Sequence, residues 1–112
     1  MDILFQGRKL EKVCHDQSLR TRMYGLVCAK LLGRRIDELR DARNLEEMRL
    51  LPQAKCHELK GDRKGTLSVA LEQPYRLIFE PANNPVLKRP DGGLDWTEVT
   101  AIRVLAVENY HD

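Results

Sequence analysis

The chain has 112 residues, 42% of them hydrophobic and 32% charged, with 19 Lys and Arg against 17 Asp and Glu. That length suits one domain around one core; the composition excludes a disordered chain, and the short apolar runs exclude a helical membrane span. A net charge of +2 excludes a protein that coats nucleic acid indiscriminately, so any such contact has to come from a local patch.

The N-terminus has no charged start ahead of a long apolar segment, so no secretion signal is expected. Residues 2–6 read as a strand. LFQG is also what a cleavable tag leaves behind, but the expected strand over 2–6 runs straight on from Met1 without tag sequence. Residues 8–15 carry Leu10, Val13 and Cys14 on one face and read as a short helix. Asp16 or Ser18 can cap the next segment, because their side-chain oxygens accept from its free amides. From 19 to 40, Leu19, Met23, Leu26, Val27, Leu31, Leu32, Ile36 and Leu39 recur at three- and four-residue steps, which predicts an amphipathic helix. Its other face holds Arg20, Arg22, Lys30, Arg34, Arg35 and Arg40, most simply a solvated surface. Gly25 and Gly33 mark close packing or a break in it. Asn44 followed by Glu47 resembles a capping box, with Leu45 and Met48 on the buried side, and Pro52 ends that turn.

The second half reads as β. Residues 57–60 are a short strand candidate and 61–65 a turn. In 66–71, Leu67, Val69 and Leu71 share one face. A turn at Gln73-Pro74 leads to a strand over 75–80, in which Leu77 and Phe79 lie opposite Arg76, Ile78 and Glu80; the short connection predicts an antiparallel hairpin. Residues 81–94 form a loop rich in Pro, Asn and Gly. The last strand, 99–110, is apolar on both faces, with Val99, Ala101, Leu105 and Val107 on one and Ile102, Val104 and Ala106 on the other. It therefore belongs inside a sheet. The fold class is α+β: two N-terminal helices on one face of a mostly antiparallel sheet of four to five strands, one domain over 1–112.

The chemistry concentrates in CHELKGDRKG, residues 56–65, which packs a histidine, three cations and two glycines into ten residues. Cations beside a glycine turn suit a phosphate; the bland alternative is a solvated hairpin turn. Arg76 interrupts an apolar strand and calls for a partner, either a salt bridge with Glu80 or Asp62 or a ligand. Tyr110 and His111 beside a core strand are unusual for a solvated tail. Together His57, Lys60, Arg76, Tyr110 and His111 form a set suited to cutting RNA. Attack of a ribose 2′-OH on its phosphate needs a base, cationic stabilisation and an acid, and tyrosine can stack on a base or orient the nucleophile. Arg63 and Lys64 are candidate RNA-backbone contacts.

Three cysteines, Cys14, Cys28 and Cys56, with no CxxC pair point to a reduced, cytoplasmic protein. A metal centre from Cys14, His15, Cys56, His57 and His111 has no recognised ligand spacing, and no metal or cofactor is expected.

HELKGDRKG (57–65), the alternating strand after it, YRLIFEP (75–81) and the terminal Asn-Tyr-His together resemble the RelE/ParE superfamily of bacterial toxins, and within it the HigB-like (killer protein) branch. The resemblance implies the RelE/ParE-like fold and a type II toxin that cleaves mRNA on the 70S ribosome. Its partner would be a cognate antitoxin, helix-turn-helix and HigA-like, through which alone it reaches operator DNA; no membrane is involved. It assigns His57, Lys60, Arg76, Tyr110 and His111 to the site. Asn109 lines it where HigB toxins can carry an aspartate, and an amide cannot ionise. A loop over 81–96 longer than in the shortest members implies altered docking. The superfamily also allows a toxin that binds a protein target such as gyrase, or an inactive homologue that only binds its antitoxin.

Overall fold

The computed structural model describes residues 1–86 and 88–109. Strand β1 (Asp2–Phe5) leads into helices α1 (Arg8–His15), α2 (Gln17–Tyr24) and α3 (Leu26–Asp41). Two 3-10 turns, Leu45–Leu50 and Pro52–Ala54, precede β2 (His57–Glu58), and a third, Gly61–Arg63, precedes β3 (Leu67–Ala70). β4 (Tyr75–Pro81), a turn at Trp96–Glu98 and β5 (Ala101–Asn109) follow. The five strands stand in the order β1-β5-β4-β3-β2, antiparallel except for the parallel pair β1 and β5. The helices cover one face, and Leu32, Ile36 and Leu39 of α3 pack against Leu67, Val69, Leu77, Phe79, Ile102 and Val104. The other face is open. This is the α+β arrangement that the pattern predicts.

The helical layer has three members where periodicity reads two. Asp16 caps α2 by accepting from the Leu19 amide at 3.0 Å. At Gly25 the backbone takes φ 84, a region closed to most side chains, and the 19–40 segment breaks there. The break resets the helical phase. Cys28, Ala29, Leu32, Arg35, Ile36 and Leu39 form the buried stripe of α3, while Met23, Leu26 and Val27, expected on the apolar face, are exposed.

Two arginines expected in solvent are buried. Arg20 donates to the carbonyls of Cys14 and Ala29 and to Gln17 Oε1, tying α1, α2 and α3 together. Arg35 donates to the Ala70 carbonyl at 2.8 Å, to Glu38 at 2.9 Å and to the Gln53 carbonyl at 3.1 Å. It thereby fixes the far end of β3 against α3. Periodicity cannot distinguish a buried arginine with backbone partners from a solvated one. At residues 44–47, Asn44 accepts from the Glu47 amide at 3.2 Å as expected, but Glu47 reaches back to the Arg43 amide at 2.7 Å instead of to Asn44.

β5 lies inside the sheet, between β1 and β4. The register slips by one residue between Ile78 and Phe79, which pair with Ala106 and Val104. The resulting bulge at Leu105 shifts the alternation. Val107 thus joins Ile102 and Val104 on the packed side, whereas strict alternation places it opposite them.

Candidate functional site on the open sheet face

Directly paired residues share a face of a sheet. Glu58 pairs with Leu67 on the packed side and accepts from the Trp96 indole at 3.0 Å. His57 therefore belongs to the open face, in a row with Ser68, Ile78 and Ala106. Two residues along, Ala70, Arg76 and Glu108 form the next row on that face. His57 and Arg76 are two strands and two residues apart, a Cα diagonal of about 12 Å from strand spacing and rise. Both start from the same face of the sheet.

The His57 ring is oriented by its own chain. Nδ1 lies 2.8 Å from the Lys55 carbonyl, which only accepts, so Nδ1 carries the proton. In the neutral ring, Nε2 then presents its lone pair outward. Lys55 reaches this position in the left-handed region, at φ 47. Lys60 is exposed and opens the Gly61–Arg63 turn.

Arg63, expected to meet the RNA backbone, forms an ion pair with Glu108 of β5. From the start of β3 to Glu108 is a diagonal of about 14 Å across two strand spacings, so the arginine crosses the open face. Ser68 and Ile78 lie beneath that crossing and are 0% and 3% exposed. Sequence reasoning missed both Glu108 and Ser68, since a lone carboxylate and a serine in strands have no motif to mark them. Glu80, one suggested partner of Arg76, pairs instead with Arg103 at 3.1 Å. Lys64 turns toward an open cleft of about 520 Å³, lined also by Glu58, Glu80, Val86, Lys88 and Leu94. Neither His57 nor Arg76 lines that cleft.

Asn109 is exposed at the last pair of β5, opposite Tyr75. β4 and β3 stand between β5 and β2, so Asn109 is about 14 Å sideways from the line of β2. Tyr110 and His111 lie outside the described residues. Burial pushes the Cys14 thiol up to about 11 and that of Cys56 up to about 12, which makes them poor ligands and nucleophiles. Among the described residues, no three of His, Cys, Asp and Glu come together as a metal site.

A search by sequence against curated proteins gives no match. Among solved structures, a YoeB/ParE toxin from Agrobacterium tumefaciens is similar over 99% of this chain and 100% of its own, with a TM-score of 0.55 and 10% identity. That likeness concerns the fold. The model of the RelE-like toxin of the type II toxin-antitoxin system HigB matches residues 4–90. The match spans most of the chain, including the end of β1, the three helices, β2 to β4, His57, Lys60 and Arg76, and the chain belongs to that family of RelE-like, HigB-type toxins.

Proposed function

We propose that this toxin is a metal-independent endoribonuclease that cleaves mRNA on the ribosome and so arrests translation and growth. The observation that carries the reading is the His57 ring, held by the Lys55 carbonyl with Nε2 outward on the open face that also bears Arg76. In this mechanism Nε2 takes the proton of a ribose 2′-OH, whose oxygen attacks the adjacent phosphorus. The bond to the 5′-oxygen breaks, leaving a 2′,3′-cyclic phosphate and a 5′-hydroxyl. Arg76 and Lys60 stabilise the non-bridging oxygens as charge builds. His111 is assigned to protonate the leaving oxygen and Tyr110 to orient the nucleotide, both from the sequence. Asn109 contributes no ionisable group, so the proton transfers fall to the histidines.

A type II toxin acts with an antitoxin. In this reading the partner is HigA-like, binds DNA through a helix-turn-helix and covers the open face in the cytoplasm. Among the described residues no helix is long and apolar enough to cross a membrane.

The test is mRNA cleavage and growth arrest on induction of His57→Ala and Lys60→Ala. Each should lose about a hundredfold or more in cleavage rate. Full toxicity from both variants would refute the nuclease reading. Gyrase arrest with intact mRNA would replace it with the protein-binding alternative, and a wild type without toxicity would leave an antitoxin-binding homologue.

A further inference from the structure

Glu108 has a placement that the cleavage mechanism does not use. It stands directly opposite Arg76 on the open face, and its carboxylate holds the Arg63 guanidinium, 45 residues away in sequence. A guanidinium takes a phosphate in the same forked geometry in which it takes a carboxylate. We propose that Glu108 is a built-in competitor for the substrate phosphate: it latches Arg63 across the face, and a phosphodiester of the RNA takes Arg63 from it and frees the Gly61–Arg63 turn. This rests on the reading of RNA as the ligand.

Three further observations fit an exchangeable latch better than a structural strut. The pair is open to solvent, with 42% of the Arg63 side chain and 32% of the Glu108 side chain exposed. An ion pair so placed is weak and is readily traded for another anion. The turn is flanked by Gly61 at φ 65 and Gly65 at φ 96, and no atom packs within 4 Å of where a side chain would begin at either. That space lets the Arg63 side chain and the turn shift, while the Thr66 amide and hydroxyl keep hold of the Arg63 carbonyl at 3.0 and 2.7 Å. Finally, the Ser68 hydroxyl beneath the crossing is buried without a hydrogen-bond partner among the described residues. Buried polar groups are nearly always paired. The latched arrangement leaves this hydroxyl unsatisfied, and an opened one gives it water or a phosphate oxygen.

The experiment measures binding of a 2′-O-methyl oligoribonucleotide, which cannot be cleaved, by fluorescence anisotropy. The proteins are the wild type, Glu108→Gln, Arg63→Gln and the double variant, each checked for fold by circular dichroism. Removing the competitor should tighten binding by about three- to tenfold, combining the weak pair with the lost repulsion of the phosphate. It should also steepen the salt dependence by up to about 0.7 in log–log slope, one phosphate contact on a single strand. In the Arg63→Gln background the gain should fall below about twofold, and Glu108→Ala should give the same ordering. An equal gain in both backgrounds would show a general charge effect and overturn the proposal; so would no gain, or no binding by any of the four. A second titration, with pyrophosphate followed at the Arg63 Nε–H resonance, does not depend on RNA. Equal affinity there for wild type and Glu108→Gln would also overturn it. Loss of cleavage with these ratios intact would count against the nuclease reading alone.

Discussion

Gly33 shows how the helical layer is fitted, through a substitution whose sign depends on one neighbour. Replacing a glycine inside α3 by alanine should gain about 1 kcal/mol of helix stability. A Cβ at Gly33, however, would lie 3.0 Å from Arg20 Nη2 and 3.5 Å from its Cζ, so the guanidinium would have to shift by a few tenths of an ångström. Its Nη2 partner, Gln17 Oε1 at 2.6 Å, is a side chain and can follow. Its other two partners are the backbone carbonyls of Cys14 and Ala29, which cannot. Hydrogen bonds from a charged donor contribute roughly 1.5–3 kcal/mol each, so weakening them offsets the propensity gain. Gly33→Ala alone should therefore be neutral or destabilising by about 1 kcal/mol. In an Arg20→Met background the obstruction is gone, and the same substitution should stabilise by about 1 kcal/mol. Urea unfolding of the four proteins gives the coupling directly. A gain of the full propensity in both backgrounds would refute the account of Gly33 as room for Arg20.

Asn83 Oδ1 accepts from the Thr100 and Ala101 amides at 2.9 and 3.2 Å and so fixes the start of β5 beside the 81–94 loop. Asn83→Ala should cost about 1–2 kcal/mol and lower Tm by about 5–10 °C, and an unchanged melting curve would contradict that role. The buried thiols make stability depend on alkaline pH. Their folded pKa values, about 11 for Cys14 and about 12 for Cys56, lie above the ordinary 9.0, so the stability is intact below pH 9 and is lost as pH rises from 9 toward 11–12. At pH 10 Cys14 alone should account for about 1.4 kcal/mol, with a comparable share from Cys56, whose thiol is raised further. Native protein at pH 8 should also react with a thiol reagent far more slowly than protein in guanidinium; equal rates would show that the thiols are accessible.

Alternation and helical period were enough to place β1, α1, β3 and β4, because each element has one face in the core and the pattern records it directly. Where the pattern failed, a local backbone event had reset its phase. Gly25 ended one helix and began another, which exposed Met23, Leu26 and Val27; the bulge at Leu105 moved Val107 to the packed side. Glycine at position 25 was a visible warning, whereas nothing in an apolar run marks a bulge. Arg20 and Arg35 misled for another reason: backbone carbonyls neutralise their burial, and backbone partners leave no trace in side-chain identity. In the site, residues 57–60 were legible as a histidine and a lysine at a glycine turn. The link from Arg63 to Glu108 was not, because it depends on the strand order that brings β5 within reach of the β2–β3 turn.

The charge balance bears on the proposal that this toxin cleaves RNA on the ribosome. Among the described residues, Arg35, Arg40, Arg43, Arg49, Arg63, Arg89 and Arg103 are each paired with a carboxylate. The cations that face or flank the site are Lys55, Lys60, Arg63, Lys64 and Arg76, and with Arg63 held by Glu108 a single strand finds about three phosphate contacts. Each contributes about 0.7 to the log–log salt slope, for a total near 2. Affinity for free RNA should then fall about 20-fold between 50 and 200 mM salt. In the proposed reading, a site this sparingly charged would be poor at capturing RNA from solution and would depend on a machine that holds the strand still and in register. Cleavage of a free oligonucleotide should accordingly show that steep salt dependence. Cleavage of mRNA already fixed in the decoding site should show much less, because positioning there no longer draws on the toxin's own cations. Equal, salt-insensitive rates on free and ribosome-bound RNA would mean that the chain carries a capture surface of its own, and would remove sparse charge as a reason for the proposed dependence on the ribosome.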